Sequence, residues 1–413
     1  MSDPAMATGA LNGVRVLEIA HLAAAVAGDA LRDLGAEVVK IEPPGGEAAR
    51  MLAPLAKLPS GERVSCAWLA FNGGKRSVCL DLDAPEGVAA FARLCAGADI
   101  VICDFERLSL SDCDRLAAAA ESANPAIVWT DILPFGRGAP HERFPATDSV
   151  LQALGGHLFL NGDIDRAPGR IGLPVGLIQG GAEAAGAALM AYYHRLRTGE
   201  GQRVDISVQE CIVWTLLNTT MAWQILELIE MRGGAIRKER ANRFYTRCVW
   251  PCRDGHIFFG PVGGGGGSAR EKSYAALLEW MREEGVSDPV LTAHDWNGPA
   301  QFAIAQEAYD AVTAVIGAFV AAKTKDELMT RAVASRILLA PITDIAGILA
   351  SPQFRARGLF EPSPDAAPGL SLEFPARWVR LSQTPLGAPA RPPAPGEHDG
   401  TLLGPQGRER KAG

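Results

Sequence analysis

Residues 14–42 read VRVLEIAHLAAAVAGDALRDLGAEVVKIE, and this stretch decides the fold class. Val14–Ala20 is a short apolar run rich in valine and isoleucine. Residues 26–34 form an Ala- and Leu-rich helical segment that stops at Gly35, and Glu37–Ile41 is a second β-type run. Strand, helix, strand in that order predicts two parallel strands joined by a helix across one face of the sheet. The alternation continues outward. Ser77–Leu82, Asp99–Phe105, Ala126–Ile132 and Arg203–Val208 read as further strands, with helices over 84–96, 112–122 and 179–197. The last helix ends at the turn Thr198-Gly199-Glu200-Gly201. The expected architecture is an α/β parallel sheet flanked by helices.

Beyond an apolar helix around 209–230 the pattern changes. Tyr245–Pro251 and His256–Val262 predict a hairpin turning at Arg253-Asp254-Gly255, followed by the five-glycine run Gly263–Gly267. Helical segments at 271–284, 300–323 and 325–334 and a β-type run at Ile337–Ile342 complete a smaller α+β domain. The expected division is a large domain over 1–210, a linker helix over 211–240, a small domain over 241–340, and a linker and tail over 341–413. The tail is proline-rich, yet apolar segments persist at 370–381, so it reads as an extended segment packed on another surface.

The chain has 413 residues, 48% hydrophobic and 21% charged, and a formal net charge of −7 at pH 7. That composition is globular, and a mildly acidic chain is a poor partner for nucleic acid or an anionic membrane. No secretory signal is readable at the start. The most membrane-like stretch, 212–229, is interrupted by Asn218, Thr219, Thr220, Gln224 and Glu227 and reads as a buried or interface helix. The eight cysteines mostly sit in apolar runs, and Cys248 and Cys252 lack a second ligand pair, so no metal is expected. A reducing cytoplasm is the natural compartment.

Few residues point to chemistry. The glycine run lies too late for a dinucleotide fingerprint, and Ser268-Ala269-Arg270 does not complete a phosphate loop. It reads either as a mobile lid or as a plain surface loop. His157 and His194 flank helical stretches and read as packed or surface residues, Asp163 and Asp165 as turn residues, and the cluster Arg237, Lys238, Arg240, Arg243, Arg247 as a solvated face or interface. No nucleophile is visible from the residue pattern alone.

Several strings, taken together, resemble the class III CoA-transferase family. They are Leu11–Glu18, Asp33–Gly46, Asn72-Gly73-Gly74-Lys75-Arg76-Ser77-Val78 and Arg197-Thr198-Gly199-Glu200-Gly201-Gln202-Arg203-Val204-Asp205. Late in the chain, Ser351-Pro352-Gln353-Phe354 and Gly396-Glu397-His398 also fit. The resemblance implies a Rossmann-like large domain and a small domain, two such chains interlocked as rings, and a C-terminal tail returning to the large domain. It also implies a reaction in which an aspartate attacks an acyl-CoA thioester and carries CoA to an acceptor acid, so a CoA thioester is a substrate and no cofactor is held permanently.

Here the chain departs from the family pattern. Reading forward from Arg170-Ile171-Gly172 and back from Arg197-Thr198-Gly199 both place Leu177 where the resemblance implies the aspartate. Asp163, Asp165 and Glu183 are the carboxylates nearest in sequence. The family resembled also includes α-methylacyl-CoA racemases, and in place of their His-Asp string stands Ala146-Thr147-Asp148. The family's Asn-Phe-Arg-Pro-Gly is Asp104-Phe105-Glu106-Arg107-Leu108, whose acids would repel CoA phosphates, and alanines at Ala23–Ala25 replace its Ala-Gly-Pro. Lys75, Arg76 and Asn72 remain as candidate CoA-binding residues. The expectation is a catalytically silent subunit of a heteromeric CoA-transferase, with a paralogous catalytic subunit as partner and Gly263–Gly267 as a lid on the partner's site. A homodimeric enzyme using another residue and a non-enzymatic CoA-binding or scaffold protein are the alternatives.

Overall fold

A computed structural model describes residues 9–238, 244–263, 267–367 and 369–404. The chain forms two compact units, one built from 1–156, 171–217 and 351–413, the other from 157–170 and 218–350.

The first unit is organised by six strands: β1 (Arg15–Ile19), β2 (Glu37–Glu42), β3 (Arg76–Cys79), β4 (Ile100–Asp104), β5 (Val128–Leu133) and β6 (Gln202–Ser207). They lie in the order β3-β2-β1-β4-β5-β6, and every pairing is parallel. Helices α1 (Ala23–Asp33), α2 (Pro85–Cys95), α3 (Leu110–Ala123), α4 (Asp148–Leu154), α5 (Val175–Thr198) and α6 (Val208–Trp214) accompany the sheet. Both faces are covered: Val16, Val38 and Ile100 pack with α1 and α5, while Leu17, Val39 and Val101 pack with α2 and α3. A sheet buried on both sides needs continuous apolar strands, which is why β1, β4 and β5 lack a polar alternation. The α/β expectation therefore holds.

Close packing of α1 on α5 rests on a missing side chain. A Cβ on Gly181 would fall 2.3 Å from the Ala23 carbonyl oxygen and 2.8 Å from Val26 Cβ. The tail returns to this unit, as expected. Strands β7 (Phe360–Ala367) and β8 (Leu370–Pro375) form a hairpin whose Ala367 clusters with Leu58 and Leu69. Farther on, the His398 amide donates to the Ser77 carbonyl at 2.9 Å and the Cys79 amide to Asp399 Oδ1 at 2.8 Å, so the tail covers the free edge of β3.

The second unit contains a three-stranded antiparallel sheet, Val249–Cys252, Gly255–Phe259 and Leu339–Pro341, packed against helices Gly267–Glu283, Gln306–Ala321 and Lys325–Ser335. The expected hairpin is shorter than the sequence suggested. Tyr245–Arg247 pairs instead with Ile236–Lys238. The expected helix over 209–230 is two, α6 and α7 (Leu217–Leu226), and α7 has no buried residue although Trp223, Ile225 and Leu226 are 54%, 70% and 64% exposed. No described helix is long and apolar enough to cross a membrane.

Candidate functional site

In an open parallel sheet, ligands bind outside the carboxyl ends of the strands where the strand order reverses. Here that point lies between β1 and β4. Directly above it starts α1, whose free N–H groups and positive dipole end form a natural anion seat. The seat is taken. The Asp104 carboxylate, wholly buried at the end of β4, accepts the His21 amide at 3.0 and 3.1 Å and the Ala24 amide at 3.0 Å. Burial, and next the charge of Glu106, push its carboxyl up to about 7. The Asp104 carboxylate thus fills the anion seat at the head of α1.

Around it lie paired charges. His21 Nδ1 is 3.3 Å from Glu106 Oε2, a contact that raises the imidazole's affinity for its proton. Arg107 pairs with Glu47 at 3.1 Å, and Arg50 pairs with Glu42 at 2.7 Å while lying 4.0 Å over the Trp68 ring.

The three candidate CoA-binding residues fall in different settings. Lys75 is buried, its Nζ bonded to Glu18 Oε2 at 2.6 Å and to the Ala25 carbonyl at 2.9 Å. Desolvation lowers its pKa. Lys40 Nζ takes the other oxygen of Glu18 at 2.9 Å, so one buried carboxylate serves two ammonium groups. Asn72 is buried and donates to the Trp68 carbonyl at 3.2 Å. Only Arg76 reaches solvent, and it pairs with Glu37 at 2.9 Å.

Leu177 sits in the first turn of α5, 3% exposed, its side chain in the apolar cluster beneath the sheet. The tertiary fold brings a carboxylate to it that sequence reading passed over. Asp148, first residue of α4, accepts the Leu177 amide on Oδ1 at 3.1 Å, and its other oxygen accepts Gln152 Nε2. Gln152 is wholly buried, and its Oε1 has no hydrogen-bond partner among the described residues. Residues 148 and 177 are far apart in sequence, and the string Ala146-Thr147-Asp148 drew attention only for its missing histidine, so nothing local marked the pair.

The other candidates are dispersed. Glu183 is exposed on α5 and accepts Gln179 at 2.9 Å, while Asp163 and Asp165 belong to the second unit. Of the glycine run, Gly263 donates its amide to the Trp296 carbonyl at 3.2 Å and accepts from Arg270, and Gly267 opens the following helix. Gly264, Gly265 and Gly266 lie outside the described residues, as do Arg240 and Arg243 of the basic cluster.

The fold also unites Cys103, Cys113 and Asp131, the one group of this kind among the described residues that has metal-ligand spacing. Its donors are already engaged. Asp131 accepts Trp129 Nε1 at 2.7 Å and Arg137 Nη2 at 2.6 Å, and the Cys103 thiol donates to it at 3.1 Å. Hydrogen bonding to Cys113 and burial hold the Cys103 thiol well above its usual range, so it stays protonated.

The sequence model of CoA-transferase family III matches residues 11–399. The chain belongs to this family. It is similar to the succinyl-CoA:(R)-benzylsuccinate CoA-transferase subunit BbsE of Thauera aromatica, 27% identical over 374 residues that cover 90% of this chain and 88% of that protein. It is also similar to the succinate–glutarate CoA-transferase of Agrobacterium fabrum, 30% identical over 397 residues, 95% of this chain and 94% of that one. Among solved structures, a CaiB/BaiF family protein from Brucella suis superposes with a TM-score of 0.80 at 26% identity, covering 96% of this chain and 98% of that chain. Members of this family are enzymes that use CoA thioesters as substrates.

Proposed function

We propose that this chain is the non-nucleophilic subunit of a heteromeric family III CoA-transferase that moves CoA from an acyl-CoA such as succinyl-CoA to a carboxylic acid such as benzylsuccinate. The observation that carries the reading is Leu177, apolar and buried at the head of α5 where the family resemblance expects an aspartate. In the transfer, a carboxylate oxygen attacks the thioester carbonyl, the C–S bond breaks, and CoA leaves as the thiolate. An alkyl side chain has no electron pair for that attack. The seat at the head of α1, filled by Asp104, further supports a chain that does not hold CoA phosphates as an active subunit would. The relative BbsE is itself named as a subunit, which supports a paralogous catalytic partner in an interlocked pair. The exposed apolar α7 supplies surface for such a partner. In this reading the cytoplasm is its compartment, and Gly263–Gly267 closes over the partner's acyl intermediate and keeps water from it.

A second reading is favoured by Asp148, whose Oδ1 stands 3.1 Å from the Leu177 amide. In a homomeric enzyme this carboxylate would take the nucleophile's place.

One experiment separates the two. The chain, alone and co-purified with its paralogue, is incubated with succinyl-CoA and digested for mass spectrometry. The first reading expects acyl or CoA adducts on the paralogue only. An adduct on Asp148 of this chain, lost in Asp148→Asn, would overturn it and establish the second.

A further inference from the structure

In a chain of net charge −7, two stretches near the C-terminus carry arginine and no acid. Residues 351–360 hold Arg355 and Arg357, and residues 374–396 hold Arg377, Arg380 and Arg391. The hairpin of β7 and β8 brings them together. Its open end pairs Phe360 with Pro375, so the residues just before β7 and just after β8 leave the hairpin side by side. Ahead of β7, the short helix Pro352–Ala356 is closed by Gly358, whose amide donates to the Arg355 carbonyl at 2.9 Å. That turn has φ of +60°, a left-handed conformation that glycine adopts without strain. A Cβ on Gly358 would stand 3.9 Å from Arg380 Nη2, so Arg380 lies against the turn that carries Arg357.

This junction forms a cavity of about 450 Å³ with Arg355, Arg357, Arg377 and Arg380 on its walls and Val379 and Leu386 in its apolar lining. None of its lining residues is acidic, and none carries a hydroxyl, thiol or imidazole. Two of the four guanidinium groups are already neutralised. Arg355 is held by both oxygens of Glu373, at 2.7 and 2.8 Å, and Arg377 by Glu361. Arg357 and Arg380 are exposed and have no acidic partner among the described residues. Four cations against two acids leave the cavity with two unbalanced positive charges.

We propose that this cavity binds a small organic phosphate, with Arg357 and Arg380 on the phosphate group and Val379 and Leu386 against the organic part. A phosphate monoester carries about −1.5 to −2 at pH 7, which matches the two unbalanced charges, whereas one carboxylate supplies at most a single charge. The guanidinium fork also matches the geometry of phosphate oxygens. Arg355 and Arg377, anchored by their glutamates, keep the frame while Arg357 and Arg380 meet the ligand. A bare phosphate ion would use only part of the cavity, whose volume falls in the range of pockets that hold whole small molecules. With no acid, hydroxyl, thiol or imidazole on its walls, the site binds its ligand and does not transform it. Its two phosphate contacts come from either side of the hairpin, so an occupied site ties the helix Pro352–Ala356 to the returning tail. The site stands apart from acyl transfer and holds under either functional reading.

Calorimetry on the full chain, alone or in its complex, tests this with two organic phosphates, AMP and glucose 6-phosphate, beside adenosine, glucose, inorganic phosphate and succinate. At least one of the organic phosphates should bind with a Kd below about 1 mM, and its phosphate-free parent should not bind. Arg357→Gln and Arg380→Gln, both at exposed side chains, should each weaken that binding at least about tenfold, because each removes charge-assisted hydrogen bonds. Arg282→Gln, at an exposed arginine of the second unit paired with Glu279, should leave it unchanged. Inorganic phosphate binding as tightly as the organic phosphates would assign the cavity to the free ion and overturn the role of its apolar wall. Succinate binding as tightly would overturn the choice of phosphate. Binding of neither organic phosphate, or binding that survives both arginine substitutions, would overturn the site itself.

Discussion

Replacing Asp104 by asparagine tests the reading of the switch point directly. The Asn Oδ1 can still accept the Ala24 and His21 amides that the carboxylate accepts at 3.0 Å, so the cap on α1 survives while the buried charge goes. The carboxyl is held at about 7 in the fold against an ordinary 3.8. A folded-state pKa above the unfolded one means that the native state keeps the proton longer. Its contribution to stability is whole below pH 3.8 and is lost as the pH rises through about 7. At 1.36 kcal/mol per unit, the span corresponds to roughly 4 kcal/mol between those limits. Asparagine has no such proton. Relative to wild type, Asp104→Asn should therefore gain stability steadily from pH 4 to pH 8, by several kcal/mol in total, on top of a constant offset of about 1 kcal/mol for the weakened cap. Urea unfolding at a series of pH values measures this. Taking the difference between the two proteins cancels Asp33, which burial pushes up to about 6 and which titrates in the same window. A wild-type-minus-variant difference that stays flat across the series would refute the idea that a buried, charge-strained carboxylate fills the helix seat. The same variant removes an anion from the seat, so CoA binding measured by calorimetry should strengthen severalfold. Unchanged affinity would place CoA elsewhere.

Three further outcomes are expected. Glu18→Gln strands the ammonium groups of Lys40 and Lys75 in a dry interior and should cost about 3–5 kcal/mol by urea unfolding, whereas Arg76→Ala, at an exposed pair, should cost less than about 1 kcal/mol. Gly181→Val forces a side chain against the Ala23 carbonyl and Val26, and should lower stability by about 1–3 kcal/mol or block folding. A variant as stable as wild type would show that α1 and α5 can part freely. Glu106→Gln removes the largest cause of the high His21 pKa and an anion beside Asp104, so both should titrate at lower pH when followed by NMR. A His21 titration that does not move would dissolve the assigned pair.

The first 210 residues declared their architecture because a sheet buried on both faces demands apolar strands at regular intervals, and those strands can be read one at a time. The family could be read for the same reason: strings such as Asp33–Gly46 and Arg197–Asp205 are local. The apolar segment over 209–230 was also visible, but its break into α6 and α7 and the exposure of α7 were not, since helical hydropathy looks alike whether its partner is core or another chain. At the candidate site, the family resemblance implied Leu177 at the aspartate's position and two acids, Asp104 and Glu106, in the expected phosphate cradle. Only the tertiary structure decided what those residues face. The parallel sheet carries the end of β4 to the head of α1, which turns Asp104 from a free surface charge into a buried cap. The packing of α4 on α5 brings Asp148 to the Leu177 amide across a gap that no spacing rule spans. The stacking of β1 and β2 beside the start of β3 likewise commits Lys75 to Glu18, because a charge shut away from water is stable only beside its opposite, and which opposite is near is settled by the fold.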